Sequence, residues 1–221
     1  MEATTQQQEG AGTPNNRWVV KVVLIGDASV GKSSLAMQLC LKRFYEDHVP
    51  TIGGSFYQRV LVAPPDPHSP PRDVRLDLWD TAGQERFSSM APIFYRDAQA
   101  ALVTFDVTSH YSFDRAQWWV DELKQKGPKD VTIILVGNKV DIVHGRVVSA
   151  GKAEAYVAQH PELLFYTETS AKTGFGVTEL FERVAREVVA RGTAREERPQ
   201  QGQIKAPAAS SSLYGSLCCS T

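Results

Sequence analysis

Short runs of β-branched and other apolar residues recur along the chain and alternate with segments of helical periodicity. The first run, VVKVVLIG at 19–26, ends in glycine, which is typical of a buried parallel strand. Similar runs lie at 56–63, 74–79, 100–106, 131–137 and 163–167, and apolar residues at helical spacing occupy 32–44, 87–96, 111–126, 149–159 and 176–191. This alternation predicts an α/β fold, with a six-stranded, mostly parallel sheet covered by helices on both faces.

The periodic pattern is confined to the middle of the chain. Residues 1–16 are polar and rich in Gln, Gly and Thr, so we expect a disordered tail followed by a folded domain over 17–191. From residue 192 the composition again becomes small and polar, which predicts a flexible tail over 192–221. Between the second and third strands, the 63–73 segment contains five prolines, which forbid regular ladder pairing and indicate a hairpin-loop insertion.

Composition narrows the class of protein. The 221 residues contain 42% hydrophobic and 22% charged residues, as in ordinary globular domains, and the formal net charge of -1 gives no sign of nucleic-acid binding. The N-terminus has neither the basic nor the apolar region of a secretory signal, and no apolar stretch is long enough to span a bilayer. Three cysteines supply no disulfide framework.

The segment GDASVGKS, Gly26 to Ser33, matches the phosphate-binding pattern G-x-x-x-x-G-K-[ST]. Because it follows a predicted strand and opens a predicted helix, its backbone N–H groups can form an anion-binding nest at the helix N-terminus. The pattern assigns the Lys32 ammonium to the phosphates and the Ser33 hydroxyl to Mg²⁺. The expected phosphate-binding residues are Ala28, Ser29, Val30, Gly31, Lys32, Ser33 and Ser34.

A second element, WDTAGQE, ends the predicted strand at 74–79. Asp80 at a strand end beside the phosphate loop can hold Mg²⁺ through water, and Gly83 can offer an N–H to a γ-phosphate. Gln84 can orient an attacking water, because an amide both donates and accepts hydrogen bonds.

The sequence NKVD, Asn138 to Asp141, follows an apolar strand and predicts a site for guanine. The Asp141 carboxylate can accept the N1–H and 2-amino hydrogens of guanine, which adenine lacks, and Lys139 can lay its stem along the base. Asn138 is expected to tie this loop to the phosphate loop. Downstream, Ser170, Ala171 and Lys172 close another strand, and the Ala171 N–H could reach the guanine oxygen.

These elements together resemble the Ras-like small GTPases, and within them the early-endosomal Rab subgroup. GDASVGKSSL, TIGGSF, WDTAGQERF, YRDAQAALVTFDVT, VGNKVDI and ETSAKTG stand in the family's order, over about 18–191. The resemblance implies the fold of a P-loop NTPase small G domain that binds GTP and GDP with Mg²⁺ and hydrolyses GTP.

The resemblance also implies roles for further residues. Thr51 would ligate Mg²⁺ together with Ser33 and Asp80, and Tyr45 and Glu46 would fold over the ribose. Phe56, Trp79 and Phe94 match an aromatic triad that effectors read, although a tyrosine is usual at the third position. Ala28 and Ser29 stand where Ras has glycines, so we expect an altered hydrolysis rate. The 63–73 insertion is either an interaction element or a tolerated surface loop, which is the commoner case.

The chain ends in Cys218-Cys219-Ser220-Thr221, as in prenylated Rabs. The sequence leaves open whether one or both cysteines carry a geranylgeranyl group; two would anchor the protein firmly, because one lipid binds only marginally. The implied partners are a guanine-nucleotide exchange factor, a GTPase-activating protein, effectors, and escort or GDP-dissociation-inhibitor proteins. The expected location is the cytoplasmic face of the early endosome, or the cytosol when the monomer is escorted, with a role in endocytic vesicle traffic.

Two alternatives remain at the level of sequence. A scaffold that binds guanine nucleotide without hydrolysing it would keep the fold, and Ala28 leaves that possibility open. An adenylate-type kinase shares the phosphate loop, but it would lack the guanine motif at 138–141.

Overall fold

A seven-stranded sheet lies at the centre of the computed structural model, which describes residues 17–46, 50–63, 72–83 and 91–197. Six strands run in the order β2-β3-β1-β4-β5-β6, and a short β7 pairs with β1. All neighbours in that order are parallel except β2, which is antiparallel to β3. The strands are β1 (Trp18–Gly26), β2 (Gly54–Ala63), β3 (Arg72–Thr81), β4 (Ala100–Asp106), β5 (Thr132–Asn138), β6 (Leu163–Glu168) and β7 (Arg195–Glu196).

Helices cover both faces of the sheet, as the sequence predicted. They are α1 (Lys32–Leu41), α2 (Ala91–Tyr95), α3 (His110–Lys126), α4 (Ala150–Gln159) and α5 (Val177–Ala190). Successive residues of a strand point to opposite faces. Val22 and Leu24 of β1 therefore pack with α1 and α5, while Val23 and Ile25 pack with α3.

Two predicted helices differ at their ends. The first was expected over 32–44, but α1 ends at Leu41 because Lys42 adopts a left-handed conformation (φ 53°), and its N–H bonds to the Gln38 carbonyl at 3.2 Å. The helix predicted over 87–96 is described only as the short α2. By contrast, α3 begins at His110, where the Ser109 side chain accepts a hydrogen bond from the Ser112 N–H.

The β2–β3 hairpin frames the proline-rich insertion. Ala63 pairs with Arg72, and the two strands stay in continuous antiparallel register back to Gly54 and Thr81. The insertion between them, residues 64–71, lies outside the described residues, so its function stays without a structural account.

The C-terminal part of the described chain returns to the sheet beyond the predicted domain boundary at 191. β4 pairs with β1 only from Val22 onward, so β1 is open on that side at Trp18 and Val19, where β7 pairs with it. Beside this pairing, the Glu197 N–H donates to the Arg17 carbonyl at 2.8 Å. The Glu197 carboxylate is ion-paired with Arg75, which also bonds Asp77 at 3.0 Å.

Replacing Arg75 with alanine should loosen β7. Its ion pairs with Asp77 and Glu197 are mostly shielded, since these side chains are 17–26% exposed, so the expected loss of unfolding free energy is about 1 kcal/mol. Urea denaturation would measure that loss, and hydrogen exchange should quicken at residues 195–197. As a control, Lys126→Ala breaks an exposed pair within α3 and should cost under about 0.5 kcal/mol. Unchanged exchange at 195–197 in Arg75→Ala would contradict the role of this network.

Candidate functional site

A cavity of about 510 Å³ opens at the carboxyl edge of the parallel strands. The loops that follow β1, β5 and β6 converge there, as expected at the carboxyl ends of strands in an α/β sheet. Its lining includes most of the residues predicted to bind nucleotide: Ala28, Ser29, Gly31, Lys32, Ser33, Ser34, Tyr45, Glu46, Thr51, Gly83, Asn138, Lys139, Asp141, Ala171 and Lys172. Val30 and Ser170 stand behind this lining and bond to its members.

The loop between β1 and α1 leaves no space for side chains at its glycines. Gly26 and Gly31 have φ values of 146° and 99°. A Cβ on Gly26 would lie 2.2 Å from the Thr104 carbonyl oxygen, and one on Gly31 would lie 2.3 Å from Asn138 Nδ2. Ser29 is also left-handed (φ 60°), so a non-glycine residue occupies a conformation that favours glycine. No side chain caps the start of α1, which leaves its first N–H groups for an anion.

Lys32 places a buried ammonium at the base of the cavity. Its Nζ donates to the carbonyl oxygens of Gly26 (3.0 Å) and Asp27 (2.7 Å), and the residue is only 5% exposed. Burial lowers the pKa of this amine to about 8, although Asp80 and Asp27 oppose the shift. Phosphate oxygens are suitable partners for such a cation.

Three oxygen-bearing side chains from separate segments meet beside Lys32. Ser33 Oγ lies 2.8 Å from Thr51 Oγ1 and donates to Asp80 Oδ2 at 2.5 Å, while Thr51 Oγ1 lies 3.3 Å from the same carboxylate oxygen. Asp80 is fully buried at the end of β3. Hydroxyl and carboxylate oxygens are the ligands that Mg²⁺ prefers, and phosphate and water oxygens commonly complete such sites. The residues predicted as metal ligands therefore fit a magnesium ion.

Gly83 lies directly against the phosphate loop. A Cβ at this position would lie 2.4 Å from the Asp27 carbonyl oxygen and 2.5 Å from Lys32 Nζ. Only a residue without a side chain fits there, which brings its backbone next to the predicted phosphate position. The neighbouring Gln84 lies outside the described residues, so its predicted role stays a prediction.

The buried amide of Asn138 joins three loops. Its Nδ2 donates to the Val30 carbonyl at 2.8 Å, while its Oδ1 accepts from Thr169 Oγ1 at 3.2 Å and from the Ala171 N–H at 3.1 Å. This is the link to the phosphate loop that the sequence suggested. The Ala171 N–H, which we expected to reach the guanine oxygen, is directed to Asn138 in this structure.

The side chains of Lys139 and Asp141 are each held by a partner. The Lys139 ammonium pairs with Asp106 at 2.7 Å, and Ser170 Oγ donates to Asp141 at 2.6 Å. Burial opposes ionisation of Asp106, but hydrogen bonds from Lys139 and Thr108 outweigh it and lower the pKa of Asp106. Across the cavity mouth, Lys172 Nζ reaches Glu46 at 2.8 Å, and both side chains are exposed.

Sequence reasoning missed several residues of this site. Phe44 and Ile142 line the cavity, but a single apolar residue in a loop has no pattern that separates it from core. Asp106 could have been predicted from the sequence. It is the last residue of β4, just as Asp80 lies near the end of β3, and polar residues at the carboxyl ends of parallel strands meet at one edge of the sheet.

The predicted aromatic triad forms a continuous cluster away from the cavity. Phe56 and Trp79 meet edge to face with centroids 5.4 Å apart, and Phe94 lies 6.4 Å from Trp79. Phe56 is 49% exposed, and the nearby Ile52 and Ile93 are more exposed still. The cluster thus exposes apolar surface mainly through Phe56, because Trp79 and Phe94 are partly buried and pack against the core.

Cys218 and Cys219 lie outside the described residues, so nothing here bears on their predicted lipidation. Within the described ranges, no helix is both long and apolar enough to cross a membrane.

Comparison with known proteins shows the family. The model of the Ras family matches residues 21–190. Ras-related protein Rab5A of Oryza sativa subsp. japonica is 37% identical over 211 residues, which is 95% of this chain and 100% of that protein. Ras-related protein Rab-5A of Dictyostelium discoideum is 38% identical over 86% of this chain and 89% of its own. GTP-binding protein ypt5 of Schizosaccharomyces pombe is 43% identical over 169 residues, which is 76% of this chain and 77% of that protein.

These relationships confirm the predicted fold, the resemblance to Rab proteins, and a GTPase function in endocytic vesicle traffic. They do not favour the non-hydrolysing alternative. The chain belongs to the Ras family of small GTPases and is of the Rab type, a guanine-nucleotide-binding protein that hydrolyses GTP.

Proposed function

We propose that the cavity binds GTP and GDP with Mg²⁺, and that hydrolysis switches the protein between two states on the early-endosomal membrane. The observation that supports this most is the convergence of Ser33, Thr51 and Asp80 beside the buried Lys32. A magnesium site next to a buried ammonium and a bare helix N-terminus suits a nucleoside triphosphate.

The phosphates would bind against the glycine-bounded loop. Backbone N–H groups of the loop would donate hydrogen bonds to the phosphates, and the Lys32 ammonium would offset their charge. Both interactions would be strengthened by the low dielectric around the buried Lys32. Ser33, Thr51 and Asp80 would hold Mg²⁺, which when bound offsets negative charge on the β- and γ-phosphate oxygens.

The base would bind between the loops that Asn138 joins. Asp141, held by Ser170, would accept both guanine donors, and the Lys139 stem would cover the base plane while Asp106 holds its ammonium. An adenine nucleotide would leave the Asp141 carboxylate without those donors. This difference would select guanine nucleotides.

Hydrolysis would be slow without a partner. Gln84 would orient the attacking water, and the rate in the related Ras is about 10⁻⁴ s⁻¹, rising roughly 10⁵-fold with an activating protein. Loss of the γ-phosphate would weaken the interactions that hold Thr51 at the metal site, so the segment before β2 would be released. Effectors would read the Phe56, Trp79 and Phe94 surface while Thr51 is held.

Membrane attachment would come from geranylgeranyl groups on Cys218 and Cys219. An escort or GDP-dissociation-inhibitor protein would shield these lipids in the cytosol, and an exchange factor would reload the protein at the cytoplasmic face of the early endosome. Charge should add little, because the 192–221 segment lacks basic clusters.

Removing Mg²⁺ should accelerate GDP release. Chelation with EDTA is expected to raise the dissociation rate of fluorescent GDP about tenfold or more, because the phosphate charge that Mg²⁺ would offset is then left to the protein groups alone. The variant Asp80→Asn should release GDP quickly with or without EDTA. A wild-type rate that does not respond to EDTA would refute the magnesium site.

Replacing Gln84 with leucine should slow hydrolysis without weakening GTP binding. The expected decrease in single-turnover phosphate release is about tenfold to a hundredfold, because leucine cannot orient water. Gln159→Leu changes an exposed glutamine at the end of α4 and serves as the control. Tight GTP binding with no phosphate release from wild type would instead support the scaffold alternative.

Replacing both Cys218 and Cys219 with serine should move the full-length protein from membranes to the cytosol. Fractionation and imaging in cells would measure the shift, which is expected because no thiol remains near the C-terminus to carry lipid. Cys40→Ser, at a half-buried cysteine in α1, is the matched control and should leave localisation unchanged. Membrane retention of the double variant would refute the anchor.

A further inference from the structure

Behind the base-binding loops, two side chains converge on one carboxylate. The Arg146 guanidinium bonds both oxygens of Glu168, at 2.7 and 2.9 Å, and the Tyr166 hydroxyl donates to one of them at 2.8 Å. Arg146 and Glu168 are 29% and 25% exposed, so the pair is largely shielded from solvent. Bidentate, charge-assisted bonds of this kind are stronger and more directional than exposed ion pairs.

This cluster links the two loops assigned to the base. Arg146 follows the loop that begins at Asn138, directly after a 3₁₀ turn at Val143–Gly145, and Glu168 is the last residue of β6 before Ser170 and Ala171. Arg146, Tyr166 and Glu168 do not occur in the cavity lining. They would therefore act on bound nucleotide through other residues rather than by touching it.

Each side of the cluster is fixed to the framework. The N–H groups of Val147 and Val148 donate to the Val107 carbonyl at 2.9 and 3.0 Å, which anchors the chain beside Arg146 to the end of β4. Tyr166 stacks on Phe105, with ring centroids 6.2 Å apart. A Cβ on Gly137 would lie 2.5 Å from the Tyr166 hydroxyl oxygen, so the tyrosine fits closely against β5.

The backbone of Glu168 is also tightly packed. A Cβ on Gly176 would lie 2.4 Å from the Glu168 carbonyl oxygen. The hydrogen bonds from Arg146 lower the pKa of the Glu168 carboxyl, so it is ionised at neutral pH. Glu168 is therefore held through its side chain and its main chain at the point where the base loop begins.

We propose that Arg146 and Tyr166 are positioning residues for guanine binding. By holding Glu168, they keep Ser170 where its hydroxyl reaches the Asp141 carboxylate at 2.6 Å. Without that hold, the loop after β6 shifts and Asp141 loses the bond that orients it. The inference rests on the proposed reading of guanine by Asp141, and it predicts an effect on both nucleotide release and base selectivity.

Two measurements test it on the full chain. The first is the dissociation rate of fluorescent GDP in Mg²⁺. The second is the affinity ratio of GDP to inosine diphosphate, which lacks the 2-amino group that Asp141 would read. Arg146→Ala should raise the dissociation rate about tenfold and lower the ratio several-fold, since a charge-assisted bidentate contact is lost. Arg146→Lys should restore part of both, and Tyr166→Phe should show a smaller change in the same direction.

Arg75→Ala is the matched control. It also removes an arginine that is ion-paired with carboxylates, here those of Asp77 and Glu197, but at the β1–β7 network rather than at the base loops. Its GDP dissociation rate and its ratio should stay within about twofold of wild type, an effect too small to indicate a lost bidentate contact. If Arg75→Ala changed the GDP dissociation rate and the affinity ratio as much as Arg146→Ala does, the cause would be a general loss of stability, and the inference would be overturned.

The outcomes separate the inference from the proposed function. Wild-type protein that does not prefer GDP to inosine diphosphate would refute the reading of guanine by Asp141. If the wild type prefers GDP to inosine diphosphate, and Arg146→Ala and Tyr166→Phe keep both that preference and the wild-type GDP dissociation rate, only the positioning role is refuted. Should Arg146→Ala fail to fold, Arg146→Lys and Tyr166→Phe decide the question, because each keeps most of the side-chain volume.

Discussion

The amide of Asn138 is the contact on which the rest of the nucleotide site depends. It donates to Val30 and accepts from Thr169 and Ala171, so the loops after β1, β5 and β6 meet at one buried group. A carboxylate could not replace it, because a side chain here must donate and accept at once. Gly31 has no room for a side chain against this amide, so the phosphate loop and the base loops form one unit.

The sheet places polar groups where the site needs them. Asp80, Asp106, Asn138 and Glu168 lie at or next to the carboxyl ends of β3, β4, β5 and β6, and parallel pairing brings those ends to one edge. The strand order then sets their roles. Asp80, the proposed metal carboxylate, lies on β3, next to the phosphate loop of β1, while Glu168 lies on β6 at the far end of the sheet. One edge can thus hold a ligand as long as a nucleotide, with its phosphates and its base read by different strands.

Much of this arrangement could be predicted from the sequence, because buried strands and amphipathic helices leave periodic patterns. The runs at 100–106 and 163–167 match β4 and β6 within a residue at each end. What escaped depends on contacts distant in sequence. The pairing of β7 requires the open side of β1 near Trp18, and the Ala171 N–H could be assigned to Asn138 only once three loops were in place. Arg146 belongs to no sequence motif. Its proposed positioning role could be inferred only from its bond to Glu168, which lies 22 residues further along the chain.

The two halves of the cavity are held with different strength, and this difference suits a switch. On the base side, Asn138, Asp141 and Glu168 take part in buried or part-buried hydrogen bonds that join the loops to one another. On the phosphate side, the segment at Thr51 is held by hydroxyl contacts to Ser33 and Asp80, and Glu46 by an exposed ion pair of small energetic value. Loss of one phosphate therefore acts first on the weaker side. The guanine can stay bound while Thr51 and its neighbours change position, so the protein can alter its outer surface without releasing its nucleotide.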